Sequence, residues 1–323
     1  MRAVRYGGYG GGAAALKHVE VPVPSTKKDK ILLKLEAASI NPVDCKIQKG
    51  NLWPFMPLKF PFIPVCDVAG EVIEVGSAVK NFKPGDKVVS MLLFMKGGGL
   101  AEYAVATPQL TVHRPPEVSP TEGAALPIAA STALQALKSS GAKFDGSGKP
   151  FNVLITAASG GVGHFAVQLA KLANLHVTAT CGARNIDTLK SLGADEVLDY
   201  RSPDGARLHS PSGRKYDAVI HCTTGIGWSV FEPNLSENSK VVVVTIGPMV
   251  FLKSAMKMLI CAKKRVVPLV AIPKEEELRF LVGLLKEGKL KVVVDSKHLL
   301  SNAEDAWAKC MEGHATGKIV VEM

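Results

Sequence analysis

The sequence predicts an α/β protein in which a central, doubly wound parallel sheet is joined to a second, mainly β domain. Between residues 151 and 272, short apolar strands alternate with helical segments, which is typical of a parallel sheet with crossover helices. Between residues 1 and 120, short β-branched runs are separated by turn residues, which indicates an irregular antiparallel domain. The 323 residues are enough for two domains.

The first predicted domain comprises residues 1–124 and 273–323. Its expected strands lie at 31–38, 69–75, 87–91 and 101–106. Ser119-Pro120-Thr121-Glu122 supplies an N-cap, a proline at the first helical position and a capping-box acid, so a helix should begin there. The returning C-terminal part is expected to contain a helix at 274–287, a strand at 291–295, a helix after Ser301 and a strand at 318–322.

The second predicted domain, residues 125–272, carries the alternating pattern. Strands are expected at 151–156, 176–180, 196–199, 217–221, 240–245 and 266–271, with helices at 162–172 and 184–192. Strand, turn and helix follow one another without a gap from residue 151 to residue 172. We interpret this part as a domain built on a parallel sheet with crossover helices.

The turn between the first strand and helix of that domain carries the cofactor prediction. Gly160 and Gly161 permit a positive φ and a close approach of the backbone to a pyrophosphate, and Gly163 permits close helix–strand packing. The first glycine of the usual G-x-G-x-x-G pattern is missing, and Ala157 or Ala158 stands at the start of the turn. The expected contacts in this turn are Ser159, Gly160, Gly161, Val162 and Gly163.

The choice of cofactor follows from charge at the end of the second strand. An NAD site has an acidic residue there for the ribose 2′-hydroxyl, but no Asp or Glu lies between Asn174 and Ile186. Arg184 would attract a 2′-phosphate, while Thr180 and Gly182 leave room for it. We therefore predict NADPH, with a solvated Arg184 that merely opens a helix as the alternative.

Composition excludes several other classes of protein. The net charge of +10 favours anionic partners, but the basic residues are scattered and no nucleic-acid-binding motif is present, so no nucleic acid is predicted. The six cysteines form no C-x-x-C pair, which indicates neither a disulfide framework nor a zinc lobe. The apolar runs at 241–246 and 249–252 are too short to span a membrane, so any membrane contact should be peripheral. Residues 1–6 read directly as a strand, with no apolar signal region, so no export signal is expected.

Several segments resemble the quinone oxidoreductase branch of the zinc-free medium-chain dehydrogenase/reductase superfamily. They are Gly160-Gly161-Val162-Gly163, Asn41-Pro42-Val43-Asp44 and residues 67–76, 79–88 and 313–321. Segments 7–15, 192–200 and 231–237 are similar to plant members of that branch from the chloroplast envelope. The resemblance extends, in order, over essentially the whole chain.

The resemblance implies a GroES-like β-barrel catalytic domain, a Rossmann domain and NADPH as cofactor. It implies a quinone or another α,β-unsaturated carbonyl as substrate, a peripheral position at the chloroplast inner envelope, and a homodimer as in relatives. A cytoplasmic location is the alternative. By this resemblance, Arg184 and Tyr200 match positions that contact the 2′-phosphate. Thr132 matches a position near the nicotinamide, and Lys318 is also expected to contact the cofactor.

The same resemblance suggests catalysis without a metal. Asn41 and Cys66 stand where relatives have two zinc ligands, and one soft ligand does not make a tetrahedral site. Hydride addition to an enone needs only donors aimed at the developing oxyanion. Lys46 is the expected donor, or else a surface lysine, and Asn41 is expected to contact substrate or to cap a helix.

Two alternatives stay open at this point. In the first, the enzyme acts on a particular short-chain or exocyclic enone rather than on a quinone. In the second, the chain is a non-catalytic lipid- or RNA-binding protein that retains the NADPH-binding fold. The isolated histidines, His221 among them, are expected to be structural or to lie on the surface.

Overall fold

A computed structural model describes residues 1–245 and 263–323. Contacts between Cα atoms divide the chain into unit 1, Met1–Ser131 with Pro273–Met323, and unit 2, Thr132–Ile272. The apolar run at 249–252, the end of the run at 241–246 and Cys261 lie outside the described residues. Within the described ranges, no helix is long and apolar enough to cross a membrane.

The secondary structure follows the chain in this order. The strands are β1 (Arg2–Arg5), β2 (Lys17–Glu20), β3 (Ile31–Ile40), β4 (Asp67–Val75), β5 (Lys87–Met91), β6 (Tyr103–Ala106), β7 (Thr111–His113), β8 (Asn152–Thr156), β9 (His176–Cys181), β10 (Glu196–Asp199), β11 (Tyr216–His221), β12 (Leu235–Val243), β13 (Arg265–Pro268), β14 (Val294–Leu299) and β15 (Lys318–Glu322). The helices are α1 (Pro42–Gln48), α2 (Pro120–Ala124), α3 (Ala129–Ser140), α4 (Gly163–Leu172), α5 (Ile186–Ser191), α6 (Pro203–Ala206), α7 (Trp228–Phe231), α8 (Glu275–Lys286) and α9 (Ala303–Glu312).

Unit 1 is built on a seven-stranded sheet with the order β14-β15-β3-β4-β5-β7, in which β6 also pairs with β3. Neighbouring strands are antiparallel except β14 and β15, which are parallel. The four strands predicted before residue 110 are present, and Ser119 and Glu122 form the predicted capping box of α2. Trp307 of α9 is fully buried in the core of this unit.

The strand predicted at 291–295 is displaced, because β14 begins only at Val294. The carbonyl of Val293 accepts the N–H of Lys318, and a Cβ on Gly317 would lie 2.1 Å from that carbonyl oxygen. Gly317 and Val293 thus lie close together just before β14 and β15 begin to pair. The strand itself, VDSKHL, is polar and partly exposed, so apolar periodicity did not reveal it.

Unit 2 contains a six-stranded sheet with the order β10-β9-β8-β11-β12-β13, and every neighbouring pair is parallel. This is the predicted doubly wound Rossmann order, in which the connections reverse direction at β8. β12 begins at Leu235 rather than at 240, because the polar Ser236 is held by a hydrogen bond to Asp217 at an irregularity in the pairing with β11. β13 ends at Pro268, three residues before the predicted end.

One glycine of unit 1 provides a test of this packing. A Cβ on Gly70 would lie 2.2 Å from the carbonyl oxygen of Lys34, where β4 pairs with β3. We expect Gly70→Ala to lower the free energy of unfolding by about 2 kcal/mol or more, because the obstacle is backbone. Urea unfolding followed by circular dichroism measures the change.

Gly283→Ala is the matched control, because a Cβ there meets nothing within 4 Å and the residue lies inside α8. It should raise the free energy of unfolding by about 0.5–1 kcal/mol. Equal stability of the Gly70→Ala protein and the parent would show that β3 and β4 tolerate the added methyl group.

Candidate active site

Two hydrogen bonds to Thr180 fix the turn between β8 and α4. The N–H of Ala157 donates to Thr180 Oγ1 at 3.2 Å, and the N–H of Ala158 donates to the Thr180 carbonyl at 2.8 Å. Ala157 has a φ of 48°, whereas neither Gly160 nor Gly161 has a positive φ. The expectation that these two glycines supply the left-handed conformation is therefore wrong, since Ala157, in place of the first glycine, adopts it.

The same turn offers unsatisfied N–H groups at the start of a ten-residue helix. A Cβ on Gly163 would lie 2.5 Å from the Ala157 carbonyl oxygen, so only glycine allows α4 to begin this close to the strand. Among the contacts of the described residues, the N–H groups of Gly161 and Val162 donate to no backbone carbonyl. Ser159, Gly160, Gly161 and Val162 are all partly accessible, so the turn fits a pyrophosphate.

A cationic corner lies at the ends of β9 and β10. Gly182 follows β9, and a Cβ there would lie 3.6 Å from the Tyr200 ring, which is 47% exposed. Arg184 is exposed, and the guanidinium carbon of Arg201 lies 5.5 Å from the centroid of the Tyr200 ring. Asp199, the nearest acid in sequence, uses its carboxylate to accept the N–H of Arg201. The corner fits a phosphate group on a ribose.

Sequence reasoning missed Arg201 in this corner. The signal was its position next to Tyr200, at the end of the strand that pairs with β9.

A buried histidine stands where the strand order reverses. His221 ends β11 beside Thr156, which ends β8, and Thr156 Oγ1 and His221 Nδ1 are hydrogen-bonded at 2.9 Å. The N–H of Cys222 also donates to Thr156 Oγ1, at 3.1 Å. Burial lowers the pKa of His221 to about 4, so its ring is neutral at pH 7.

This histidine borders a cavity of about 190 Å³ at the carboxyl ends of β11 and β12, which Thr224, Trp228, Phe231 and Val243 also line. Carboxyl ends of parallel strands meet at one sheet edge, where doubly wound folds bind ligands. His221 was predicted to be structural or to lie on the surface, and the structure places it buried at the end of β11, beside this cavity.

In unit 1, Asn41 is the centre of a buried polar cluster. Its Nδ2 donates to Asp67 Oδ2 at 2.8 Å and to the Ser39 carbonyl at 3.2 Å. Its Oδ1 accepts from Lys318 Nζ at 2.5 Å. A carboxylate on one side and an ammonium on the other fix the orientation of the amide. Both amide hydrogens are engaged, so in this arrangement Asn41 positions its neighbours.

The cluster also caps α1. The N–H of Asn41, the N-cap residue, donates to Asp44 Oδ2 at 2.8 Å. Burial raises the pKa of Asp44 to about 7, against the hydrogen bond from Asn41. Burial likewise raises the pKa of Asp67 to about 6, although Lys318, Asn41 and the Ile128 N–H favour its anion. Lys318 is 2% exposed, and burial lowers its pKa while both carboxylates oppose that shift.

The remaining predicted residues lie apart from this cluster or at its edge. Lys46 is half-buried on α1 and has no side-chain hydrogen bond or ion pair to another described residue. Its three N–H groups are therefore available, as an oxyanion donor and a solvated lysine both require. Thr132 is buried on α3, at the first position of unit 2. Lys318, predicted to contact the cofactor, instead donates to Asn41 inside unit 1.

The cluster around Asn41 does not fit a zinc ion. Asn41 Oδ1 already accepts from an ammonium, whose charge would repel a divalent cation. Burial raises the pKa of the Cys66 thiol well above its usual range, and this one soft ligand does not make a tetrahedral site. In the part of the chain that the structure describes, no three His, Cys, Asp or Glu side chains are grouped to hold a metal.

Comparison with known proteins identifies the family. The family model for zinc-binding dehydrogenases matches residues 192–321, and that for the alcohol dehydrogenase GroES-like domain matches residues 27–116. The structure of the quinone oxidoreductase from Coxiella burnetii superposes with a TM-score of 0.88, with 33% identity, over 100% of this chain and 99% of that chain.

Two plant relatives match along the whole chain. The chloroplast envelope quinone oxidoreductase homolog of Arabidopsis thaliana is 66% identical over 100% of this chain and 98% of that protein. The chloroplastic NADPH-dependent alkenal/one oxidoreductase of the same plant is 32% identical over 99% of this chain and 79% of that protein. With both family models and both relatives in agreement, the chain is an oxidoreductase that belongs to the quinone oxidoreductase branch of the medium-chain dehydrogenase/reductase family.

Proposed function

We propose that this oxidoreductase reduces the conjugated C=C bond of α,β-unsaturated carbonyl compounds, or a quinone, with NADPH and without a metal. The observation that carries the proposal is the cationic corner of Gly182, Arg184, Tyr200 and Arg201, next to a backbone anion site and with no Asp or Glu between Asn174 and Ile186. The relatives' names, quinone oxidoreductase and NADPH-dependent alkenal/one oxidoreductase, support it.

The two predicted domains have different proposed roles. Residues 1–124 and 273–323 form the catalytic domain, and residues 125–272 form the domain that binds the cofactor. The proposed cofactor contacts are Thr132, Ser159, Gly160, Gly161, Val162, Gly163, Gly182, Arg184, Tyr200 and Arg201, with Thr180 shaping the turn. Lys318 receives a different assignment below, because its ammonium is buried on Asn41.

The proposed reaction is hydride transfer to a conjugated carbonyl compound, for which the protein supplies hydrogen-bond donors. Bound NADPH supplies a hydride to the β-carbon of the enone. Lys46 donates a hydrogen bond to the carbonyl oxygen as negative charge grows there, which lowers the barrier. A proton from a side chain or water then completes the α-carbon and gives the saturated ketone. An alcohol, by contrast, must first lose a proton, and zinc relatives use a Lewis acid for that step. Asn41 keeps α1 in place through its engaged amide.

Location and assembly are part of the proposal. The name of the relative at 66% identity supports a chloroplast protein, and we propose a peripheral position at the inner envelope. Homodimer formation and the absence of nucleic-acid binding also stay predictions.

The substrate class is tested by NADPH oxidation with enones of increasing chain length, benzoquinones and naphthoquinones. We expect turnover of at least one series, with a saturated ketone as the product of an enone and no dependence on added zinc. Product analysis separates this route from one-electron quinone reduction, which yields a semiquinone. Tight NADPH binding without turnover of any compound would instead favour the non-catalytic lipid- or RNA-binding alternative.

Arg184→Ala tests the cofactor assignment. A charge-assisted hydrogen bond to phosphate contributes about 1.5–3 kcal/mol, so the Kd for NADPH should rise about tenfold or more while that for NADH stays unchanged. Fluorescence titration with both nucleotides measures this. Arg214→Ala is the control, because that exposed arginine lies just before the amino end of β11. If parental protein binds NADH as tightly as NADPH, the assignment fails.

Lys46→Ala tests the oxyanion donor. Loss of a hydrogen bond that strengthens in the transition state should lower kcat/KM about tenfold or more, with the KM for NADPH unchanged. Lys49→Ala, an exposed lysine just after α1, is the control and should have parental kinetics. Parental kinetics for Lys46→Ala as well would remove Lys46 from the mechanism.

A further inference from the structure

Lys318 is a long cationic side chain with almost no exposure to water. It is 2% exposed, at the first position of β15, and its Nζ donates to Asn41 Oδ1 at 2.5 Å. Transfer of an ammonium from water into a protein interior is costly unless acceptors and opposite charges surround it. Asp44 and Asp67, both buried, are the carboxyl groups that favour its charged form.

The hydrogen bonds from Lys318 continue through Asn41 to two other segments. Asn41 Nδ2 donates to Asp67 Oδ2 at the start of β4, and Asp67 also accepts the N–H of Ile128, at 3.1 Å to Oδ1. The Asn41 N–H is held by Asp44 in the first turn of α1. One ammonium thus anchors an amide that joins β15, β4 and the N-cap of α1.

The helix so held is short. α1 has seven residues, and its other end is fixed by Gln48 Oε1, which accepts the indole N–H of Trp307 at 3.0 Å. Lys46 lies between these two anchors. Movement of the N-cap would therefore reorient Lys46, because less than two turns separate them.

We propose that Lys318 is a positioning residue for the reaction, which acts through Asn41 and α1 to hold Lys46 in one orientation. This inference rests on the proposed function insofar as Lys46 is the oxyanion donor. It assigns Lys318 no contact with NADPH or substrate. The buried ammonium takes part by fixing Asn41, and Lys46 follows Asn41 by less than two helical turns.

A double-mutant cycle tests whether Lys318 acts through Lys46. Lys318→Met keeps most of the length of the side chain and removes its ammonium group, and we expect kcat to fall about tenfold with the KM for NADPH unchanged. In the Lys46→Ala background, Lys318→Met should have no further effect on kcat/KM. If the two losses multiply, Lys318 acts independently of Lys46. A raised KM for NADPH would indicate direct cofactor contact. Either result overturns the proposal.

Two further variants guard against a trivial loss of folding. Lys318→Met combined with Asp67→Asn keeps the net charge of the cluster, so its Tm should be higher than that of Lys318→Met alone, with a loss of kcat that is at least as large. Lys297→Met, on the neighbouring β14, removes a lysine that is 54% exposed and paired with Glu322, and should leave kinetics unchanged. Parental kcat in a folded Lys318→Met/Asp67→Asn protein would contradict the proposal.

Amide hydrogen exchange separates this inference from the proposed function. The N–H groups of α1 should exchange faster in the Lys318→Met protein than in the parent, whether or not any substrate is turned over. If Lys46→Ala has parental kinetics but α1 exchanges faster without Lys318, the proposed role of Lys46 fails while the anchoring of α1 stands. Unchanged exchange across α1 would show that Lys318 does not hold the helix.

Discussion

The burial of one ammonium group is the constraint around which unit 1 is organised. Lys318 and Asn41 are 277 residues apart in sequence, yet their hydrogen bond lies out of contact with water. The charge is tolerated because Asn41, Asp44 and Asp67 are buried with it, and each of these groups is itself satisfied by another. Removal of any one member leaves a buried charge or amide unpaired, so the segments that carry them must meet in one arrangement.

Unit 1 buries a cation among side chains, whereas unit 2 offers a site for an anion that is formed by backbone groups. Its turn after β8 presents N–H groups and the positive end of α4, which attract an anion without a buried cation. That arrangement depends on two local features, the left-handed Ala157 held by Thr180 and the lack of a side chain at Gly163. In the proposed function, the charged corner at the end of β9 adds discrimination for a 2′-phosphate. Under that proposal, phosphate recognition divides into a general backbone part and a specific side-chain part.

The sequence predicted those parts of the molecule that local pattern determines. Apolar runs placed β8, β9 and β11, and four residues sufficed for the capping box of α2, because neighbours in the chain set these features. Polar strands were placed less well: β12 begins among Ser and Asn residues, and β14 was displaced. The pairing of Thr156 with His221 and the contact of Lys318 with Asn41 depend on sheet order and tertiary packing, which no local pattern encodes.

The position of Lys318 also bears on which reaction this scaffold suits. Where a metal-dependent enzyme needs open ligands for a divalent cation, Asn41 Oδ1 here already accepts from an ammonium. Such a cluster stabilises a fixed geometry but offers no strong Lewis acid. The residue left with unused N–H groups beside it is Lys46, which is suited to meet negative charge that forms on an oxygen. Hydride addition to a conjugated carbonyl creates that charge, whereas oxidation of an alcohol first requires a proton to be removed.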